Sequence, residues 1–262
     1  MGLKMTGRKS IFITGAASGM GKATAAFFKA KDWFIFCSDI DKEKLIDLEN
    51  LLGNDNIIYR HLDVTDKNQY EECINSLSKR TNNKLDILFN NAGMTEGGFF
   101  EDIPYENHMK LININIIDVI NGIYCAIDLL KNTPNSLCIS TSSSTGIIGL
   151  GMAAVYSASK HAVKGLTESL SSEFLRFDTR VSDILPGVID TPMISDDIKK
   201  KLPKDGMWRL TPSSEIAKAV WDSYHSDKMH WYVPKELEEL ELTVAESPEK
   251  TRDNLKNSGP LS

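Results

Sequence analysis

Apolar and polar positions follow two different periods along this chain. Short runs rich in Ile, Val and Phe, typical of buried strands, alternate with longer stretches in which apolar residues recur every three or four positions, as on one helix face. The predicted strands are Ser10–Thr14, Trp33–Ser38, Ile57–Leu62, Leu85–Asn90, Ser136–Ser140, Val181–Leu185 and His230–Val233. The predicted helices are Lys22–Lys31, Lys42–Leu52, Lys67–Lys79, Glu106–Leu130, Ala153–Phe177 and Glu215–Ser223.

This alternation predicts the fold class. Strands that alternate with helices of this length form βαβ units around a parallel sheet. No linker or internal repeat interrupts the pattern, so we expect one doubly wound α/β domain over residues 1–244, with a mostly parallel sheet of about seven strands flanked by helices. Thr191–Leu210, which contains two prolines, is predicted to be an irregular loop with short helical pieces, and residues 245–262 a loose polar tail.

Composition and charge exclude several classes of protein. The 262 residues are 41% hydrophobic and 25% charged, which is ordinary for a soluble globular protein. The formal net charge of −6 argues against nucleic acid as a partner, since phosphate binding needs a basic face. The basic run Lys199–Lys201 follows Asp196 and Asp197 and indicates a solvated surface.

The cysteines and the N-terminal residues indicate the cellular compartment. The four cysteines are scattered through apolar stretches without the Cys/His spacing of a metal site, so we expect reduced thiols and no metal. The polar residues Met1–Lys9 do not resemble a secretory signal. We also expect no run of about 18 or more apolar residues that could span a bilayer. Together these features predict a cytoplasmic protein without a membrane partner.

A glycine-rich turn lies between the first predicted strand and helix, in Thr14–Gly21. Gly15, Gly19 and Gly21 permit a tight turn and a close approach of pyrophosphate to the backbone, and the helix start offers unpaired N–H groups to phosphate. A second cluster, Gly146, Gly149 and Gly151, has no helix start directly after it and shows how weak glycine alone is as a signal.

Asp39 strengthens the prediction of a dinucleotide site. It ends the second strand, about 20 residues after the glycine turn, where a carboxylate accepts hydrogen bonds from the adenosine ribose hydroxyls. A carboxylate also repels a 2′-phosphate, and Lys42 is the nearest cation after it, so NAD is favoured over NADP. The alternative is a glycine turn followed by an aspartate that only caps a helix.

Tyr156 and Lys160 lie four residues apart in a predicted helix and therefore share one face. A phenol is a poor base at neutral pH, but a neighbouring ammonium lowers its pKa and fits it for proton exchange with an alcohol. Tyr224 and Lys228 repeat the spacing. Only the first pair follows a run of hydroxyls, Ser140–Thr145, at the end of a strand, where ligands collect in parallel α/β sheets.

From about Ser10 to Thr191 the chain resembles the short-chain dehydrogenase/reductase family, in its branch of roughly 250-residue enzymes with a Rossmann-type fold. The glycine turn carries Met20 where isoleucine or leucine is more usual. Further resemblances are Asp63-Val64, the Asn90–Gly93 motif, and Ser143 thirteen residues before Tyr156. The resemblance implies cofactor contacts by these residues: Gly15, Ser18, Gly19, Met20, Gly21, Asp39, Ile40, Asp63, Val64, Asn91, Ala92, Gly93, Tyr156, Lys160, Pro186, Gly187, Ile189 and Thr191.

The resemblance also implies an NAD-dependent oxidoreductase that transfers hydride between the cofactor and the CH–OH or C=O group of an alcohol or ketone. Tyr156 would exchange the proton, Lys160 would lower its pKa and bind the nicotinamide ribose, Ser143 would hydrogen-bond the substrate oxygen, and Asn115 would position a water. The alternatives left open are Ser142 or Ser144 for Ser143, Asn113 or Asn121 for Asn115, and Asp63 as only a helix cap. His61 and His161 have no assigned role.

Substrate and assembly are less well defined by the sequence. The substrate pocket is expected in 94–100, 147–155 and the loop 192–208. Their residues Leu150, Met152, Met193, Met207 and Trp208 suggest an apolar slot, although methionine and aromatic residues are more often core filling. The resemblance implies a homodimer or homotetramer. The region after His230–Val233 lacks the family's glycine-rich segment, which puts C-terminal contacts in doubt. An NAD-sensing protein without turnover, or a dehydratase or epimerase on the same fold, are the alternative functions.

Overall fold

The computed structural model describes residues 7–258 and contains one parallel sheet of seven strands in the order β3-β2-β1-β4-β5-β6-β7. The strands are β1 Ser10–Thr14, β2 Phe34–Asp39, β3 Ile57–His61, β4 Ile87–Asn90, β5 Ser136–Thr141, β6 Thr179–Pro186 and β7 His230–Val233. The helices are α1 Gly19–Ala30, α2 Lys42–Leu52, α3 Lys67–Thr81, α4 Tyr105–Ile112, α5 Asp118–Lys131, α6 Ala154–Phe174, α7 Asp196–Lys201, α8 Ser213–Tyr224, α9 Leu237–Glu246 and α10 Pro248–Ser258.

Helices cover both faces of the sheet, which explains why its central strands are apolar along their whole length. One hydrophobic cluster joins the strands to α1, α2 and α8 through Phe28, Leu48 and Val220. A second cluster, on the opposite face, contains Leu77 of α3 and Val163 of α6. The predicted doubly wound α/β fold with a parallel sheet of about seven strands is therefore confirmed.

The strand order reverses between β1 and β4, which pair with each other although they are not consecutive. In open α/β sheets, ligands bind outside the carboxyl ends of the strands at such a reversal. The residues that follow these two ends are the glycine turn and the Asn90–Gly93 motif. The topology therefore places both predicted cofactor segments at one crevice.

Two helical regions differ from the sequence prediction. The stretch predicted as one helix over Glu106–Leu130 is α4 and α5 joined by a π-helical turn, Asn113–Ile117. The C-terminal segment predicted as a loose tail contains α10, and α9 crosses residue 244. The tail prediction missed a local signal, because Ser247 followed by Pro248 is a typical helix start and the Ser247 carbonyl accepts a hydrogen bond from the Thr251 amide at 3.1 Å.

The 27-residue stretch Tyr105–Lys131 is long and apolar enough, by length and composition alone, to cross a membrane. The expectation that the sequence has no such stretch was therefore wrong. A single helix of this kind is weak evidence for a membrane span, since core helices pass the same test. Here 44% of the most apolar window is buried inside the protein, and the buried residues of the 27-residue stretch include Asn115, Asp118 and Asn121.

Candidate active site

The glycine turn is closely packed against two other predicted cofactor segments. Gly15 and Gly19 have positive φ angles of 61° and 46°. A Cβ on Gly21 would lie 2.2 Å from the Gly15 carbonyl oxygen, and a Cβ on Gly19 would lie 2.9 Å from Cγ2 of Thr191. These positions therefore require glycine, and the turn meets the segment that ends in Thr191.

The start of α1 is open to an anionic ligand. Ser18 is at the N-cap position, but its side chain makes no capping hydrogen bond, so the first N–H groups of the helix have no side-chain acceptor. Met20 packs against the hydrophobic cluster below the turn. The start of α1 thus has the geometry and partial charge that bind phosphate.

The Asn90–Gly93 motif is fixed to the end of β1 by hydrogen bonds. The amides of Asn91 and Ala92 donate to the Thr14 hydroxyl at 3.0 and 2.9 Å. The Asn91 side chain donates to the Thr14 carbonyl at 2.9 Å. Thr14 is a positioning residue that the sequence argument missed, and its place as the last residue of β1, before the turn, is the signal that identifies it.

Asp39 contacts the glycine turn directly. Its carboxylate accepts a hydrogen bond from the Ala17 amide at 2.9 Å and another from the Asp41 amide at 3.0 Å. The N-cap of α2 is Asp41, which accepts from the Lys44 amide at 3.1 Å. The alternative interpretation of Asp39 as a helix cap is therefore wrong. Ile40 lies beside it and is 62% exposed.

Asp63 and Val64 follow β3. Asp63 accepts hydrogen bonds from the amide and hydroxyl of Thr65 at 2.9 and 2.7 Å, and the N-cap of α3 is instead Asp66. Asp63 is therefore not the helix cap either. The Val64 carbonyl accepts a hydrogen bond from Asn121 at 3.2 Å, which gives that asparagine a role in packing α5.

Asn115 lies in the π-helical turn between α4 and α5, a local geometry that is frequent at functional sites. Its side chain accepts from the Met94 amide at 2.9 Å and donates to the Met94 carbonyl at 3.0 Å and the Ser159 hydroxyl at 3.1 Å. Asn113 is exposed, so among the three asparagines Asn115 lies against the Gly93 loop and α6.

The serine run after β5 is resolved by its hydrogen bonds. Ser142 donates to the Lys160 backbone carbonyl at 2.9 Å and so ties the loop to α6. Ser143 is the serine that hydrogen-bonds the Tyr156 side chain. Ser144 begins a short 3-10 turn and is buried. The hydrogen bond thus favours Ser143 over its neighbours as the serine that pairs with Tyr156.

Tyr156 and Lys160 lie on the first turns of α6. The ammonium of Lys160 is 5.7 Å from the centre of the Tyr156 ring and donates to the Thr141 carbonyl at 2.8 Å. Burial raises the pKa of Tyr156, and the hydrogen bond with Ser143 opposes this. Burial also lowers the pKa of Lys160 to about 8, and the nearby Asp118 opposes that change. Burial therefore favours the neutral phenol at Tyr156, whereas it brings the pKa of the Lys160 ammonium closer to neutral pH.

The segment after β6 closes the crevice from a third side. The Gly187 amide donates to the Val233 carbonyl at 2.8 Å, directly after Pro186 ends the strand. Ile189 is buried and bridges to Thr211, while Thr191 faces Gly19 as described above. Neither His61 nor His161 is part of this arrangement, since both are exposed.

The shape and polarity of the crevice fit a dinucleotide cofactor. The glycine positions leave no room for a Cβ, the α1 start is uncapped, and Asp39 borders the same turn. Asn91 Oδ1, Thr141 Oγ1 and Thr145 Oγ1 are buried without a hydrogen-bond partner among the described residues. Orphaned polar atoms around a crevice are typical of a site that takes a polar ligand.

Comparison with known proteins defines the class of this chain. Residues 9–202 match the model of the short chain dehydrogenase family. The chain therefore belongs to the short-chain dehydrogenase/reductase family, whose members are oxidoreductases that bind a nicotinamide cofactor.

Individual relatives extend this result. The chain is 33% identical over 200 residues to a 3-oxoacyl-(acyl-carrier-protein) reductase of Thermotoga maritima, a match that covers 75% of this chain and 78% of the relative. A short-chain dehydrogenase/reductase of Burkholderia phymatum in complex with NAD has a TM-score of 0.81 at 19% identity, covering 95% and 96% of the two chains. ElxO with NADP bound has a TM-score of 0.76 at 27% identity, covering 86% and 96%.

Proposed function

We propose that this protein is an NAD-dependent oxidoreductase acting on the CH–OH or C=O group of an alcohol or ketone, with Tyr156 as general acid/base. The observation that carries the proposal is the convergence of Ser143, Tyr156 and Lys160 at the crevice that the glycine turn borders. A protein that only sensed NAD would have no use for this convergence. The bound nicotinamide would accept or donate the hydride.

The chain's own residues would handle the proton and the developing charge. In oxidation, the Tyr156 phenolate takes the proton of the substrate hydroxyl; in reduction, the Tyr156 hydroxyl gives it to the carbonyl oxygen. The Ser143 hydroxyl donates a hydrogen bond to that oxygen as its charge develops. The Lys160 ammonium would stabilise the phenolate and hold the nicotinamide ribose, and Asn115, beside Gly93, would hold a water that connects Lys160 to solvent.

The proposed preference for NAD rests on Asp39. Its carboxylate is held at the glycine turn by the Ala17 amide, so a 2′-phosphate there would meet a fixed negative charge. NADP-bound relatives exist in the family, so the preference belongs to this residue rather than to the fold. Ile40, exposed beside Asp39, would border the adenine.

We propose a largely apolar substrate. Phe99, Phe100, Met152 and Met193 are 56%, 63%, 39% and 49% exposed on the loops expected to form the pocket. The Gly98 amide donates to the Met152 carbonyl at 2.9 Å, which joins two of these loops. Leu150, Met207 and Trp208 instead pack against buried core residues, so for them the interpretation as core filling holds.

The proposal extends to assembly and compartment. We propose a cytoplasmic homodimer or homotetramer. Family membership implies the oligomer, and Ile117, Ile120 and Tyr124 leave an exposed apolar face on and beside α5 that a second copy would cover. All four cysteines are free thiols, as expected of a reducing compartment. A monomer in light scattering would contradict the assembly.

The test is a fluorescence titration with NADH beside NADPH, followed by absorbance assays on a series of 2-alkanones and secondary alcohols. We expect NADH to bind more tightly, and kcat/KM to rise with chain length by up to roughly fourfold per methylene. Binding without turnover on any ketone or alcohol would favour the sensor, and binding of neither nucleotide would contradict the proposal.

A matched pair of variants tests the nucleotide preference. Asp39→Ala removes the carboxylate from the turn. We therefore expect the affinity for NADH to fall and the ratio of NADH affinity to NADPH affinity to decrease. Asp41→Ala removes only the α2 cap, two residues away, and should cost about 1 kcal/mol of stability with the preference intact. An unchanged preference in Asp39→Ala would remove Asp39 from the ribose site.

A further inference from the structure

The second glycine cluster of the sequence contains a residue whose surroundings require glycine. A Cβ on Gly146 would lie 2.6 Å from the Ser142 hydroxyl oxygen and 2.9 Å from the Lys160 backbone carbonyl oxygen, which is closer than van der Waals contact. A Cβ on Gly149, in the same cluster, would meet nothing within 4 Å. Gly146 lies in a short 3-10 turn. The requirement for glycine there is therefore a close approach of this turn to α6.

Lys160 is held at both of its ends by two consecutive residues at the end of β5. Its ammonium donates to the Thr141 carbonyl at 2.8 Å, and its backbone carbonyl accepts a hydrogen bond from the Ser142 hydroxyl at 2.9 Å. The Ser142 amide in turn donates to the Ile184 carbonyl of β6 at 2.8 Å. Thr141, Ser142 and Lys160 are all buried. Lys160 is therefore attached to the sheet as well as to its own helix.

The residue after Ser142 contacts the tyrosine of the same helix. Ser143 hydrogen-bonds the Tyr156 side chain. The Ser143 carbonyl accepts a hydrogen bond from the Gly146 amide at 2.8 Å, which closes the turn. One short turn thus contains both the serine that contacts Tyr156 and the glycine that contacts the Lys160 backbone. The distance between this turn and α6 therefore sets the position of Ser143 relative to both side chains.

We propose that Gly146 and Ser142 are positioning residues that set how closely α6 approaches the end of β5, and thereby where Lys160 and Tyr156 lie relative to Ser143. The missing Cβ of Gly146 allows the close approach, and the Ser142 hydroxyl maintains it. The catalytic consequence rests on the proposed function, because it assumes that Tyr156 exchanges the substrate proton. The effect on the surroundings of Lys160 does not, and it can be measured without cofactor or substrate.

Gly146→Ala tests the close approach. The added methyl group must move the Lys160 carbonyl by about half an ångström to reach ordinary contact. We expect kcat for alcohol oxidation to fall roughly tenfold, since a misplacement of about 1 Å can cost about a hundredfold. Ser142→Ala removes the hydrogen bond and adds no atom, so it should cost less, roughly threefold. It also tests the proposal if Gly146→Ala does not fold.

The pH profile is a readout that a loss of packing alone would not move. An ammonium farther from the phenol lowers the pKa of that phenol less. In Gly146→Ala the pH at half-maximal kcat/KM for oxidation should therefore rise, by about half a unit.

Two control variants separate positioning from stability. Gly165→Ala makes the same substitution on the exposed side of α6, where a Cβ would meet nothing within 4 Å. It should leave kcat and the pH profile unchanged and raise the melting temperature slightly, because alanine favours the helix. Val220→Ala removes buried methyl groups on the opposite face of the sheet, so it should lower the melting temperature without changing kcat. An equal loss of kcat in Val220→Ala would overturn the proposal.

A measurement without substrate follows the Lys160 side chain by 13C NMR of protein labelled at lysine Cε. Lys160→Met identifies the Lys160 resonance by its absence. We expect this resonance to move in Gly146→Ala and Ser142→Ala and to stay in place in Gly165→Ala. An unmoved resonance, or an unchanged kcat, in the folded Gly146 and Ser142 variants would overturn the proposal.

This proposal and the proposed function fail in different ways. If the Lys160 resonance moves while Tyr156→Phe retains turnover, the contact between the turn and Lys160 stands and the assigned role of Tyr156 is wrong. If Tyr156→Phe abolishes turnover while neither the resonance nor kcat responds in the Gly146 and Ser142 variants, the proposed function stands and these two residues only pack.

Discussion

Two tyrosine–lysine pairs with the same four-residue spacing lie at opposite ends of the parallel strands. Tyr156 and Lys160 are on α6, at the carboxyl ends of the strands. Tyr224 is the last residue of α8, next to Lys9 and Asp86, which precede β1 and β4. The helix ends before Lys228, so the second pair does not share a helix face.

The surroundings of the second pair satisfy its polar groups. The Tyr224 hydroxyl donates to Asp86 at 3.1 Å and accepts from Lys9 at 3.0 Å, and its ring packs edge-on against Trp33. Lys228 is exposed and pairs with Glu238 at 3.3 Å. By contrast, Lys160 is buried, and within the described part of the chain its ammonium donates to one carbonyl, that of Thr141. The residue spacing is the same in both pairs. The pairs differ in the end of the sheet at which they lie, and only the first pair has buried hydrogen-bonding groups left to contact a ligand.

The largest expected effect is on turnover. Tyr156→Phe removes the proposed acid/base and should lower kcat by about 10²–10⁴-fold while NADH still binds. Tyr224→Phe makes the same chemical change at the opposite end of the strands and should leave kcat within about twofold, since removal of a distant hydroxyl does not alter the transition state. Steady-state kinetics on the best ketone of the series measures both. Comparable kcat values in the two variants would contradict the claim that only the first pair acts in catalysis.

This distinction was partly accessible from the sequence. The seven strands were predicted because both faces of a parallel sheet are covered, so runs such as Ile11–Ile13 are apolar throughout. The hydroxyl run ahead of Tyr156 placed that pair at the strand ends. The π-helical turn was not predicted, because Asn113–Ile117 keeps the apolar periodicity of the flanking helices.

Other features depend on contacts that no local pattern reveals. Asp118 has the spacing of a polar helix residue, and only packing shows that it is fully buried. Similarly, the sequence left open whether Asp39 only caps a helix, and the hydrogen bonds show that Asp41 is the residue that caps α2. The choice of Ser143 among neighbouring serines likewise required the tertiary approach of α6 to the loop after β5.

A second expected effect is the pH dependence of stability. The folded protein holds Lys160 with a pKa of about 8, below the value of about 10.4 in an unfolded chain. Between these values the unfolded state binds more protons, so this lysine makes stability rise with pH through that window and is most unfavourable below pH 8. Lys160→Met should therefore be more stable than the wild type at pH 7, by roughly 1–3 kcal/mol, with the difference shrinking toward pH 10.

Urea unfolding at several pH values measures this difference. Lys228→Met provides the comparison, because an exposed lysine can change its charge in water in both states and its pair with Glu238 is a surface pair. The Lys228 variant should follow the wild type at every pH. A constant offset between Lys160→Met and the wild type from pH 7 to pH 10 would show that burial does not perturb this lysine.

The smallest expected effect is on the free energy of unfolding. For this quantity we expect Tyr224→Phe, rather than Tyr156→Phe, to have the larger effect. Tyr224→Phe leaves the packed ring in place but removes a hydroxyl that bonds Asp86 and Lys9, so it should lower the free energy of unfolding by about 1–2 kcal/mol. Tyr156→Phe removes a hydroxyl from a partly exposed ring. The hydrogen-bond partner of that hydroxyl, Ser143, keeps another bond, because its side chain also accepts from the Thr145 amide. The stability of this variant should change by less than about 0.5 kcal/mol. If Tyr156→Phe proved the more destabilising of the two, Tyr156 would have a structural role, and its effect on turnover could no longer be assigned to proton exchange alone.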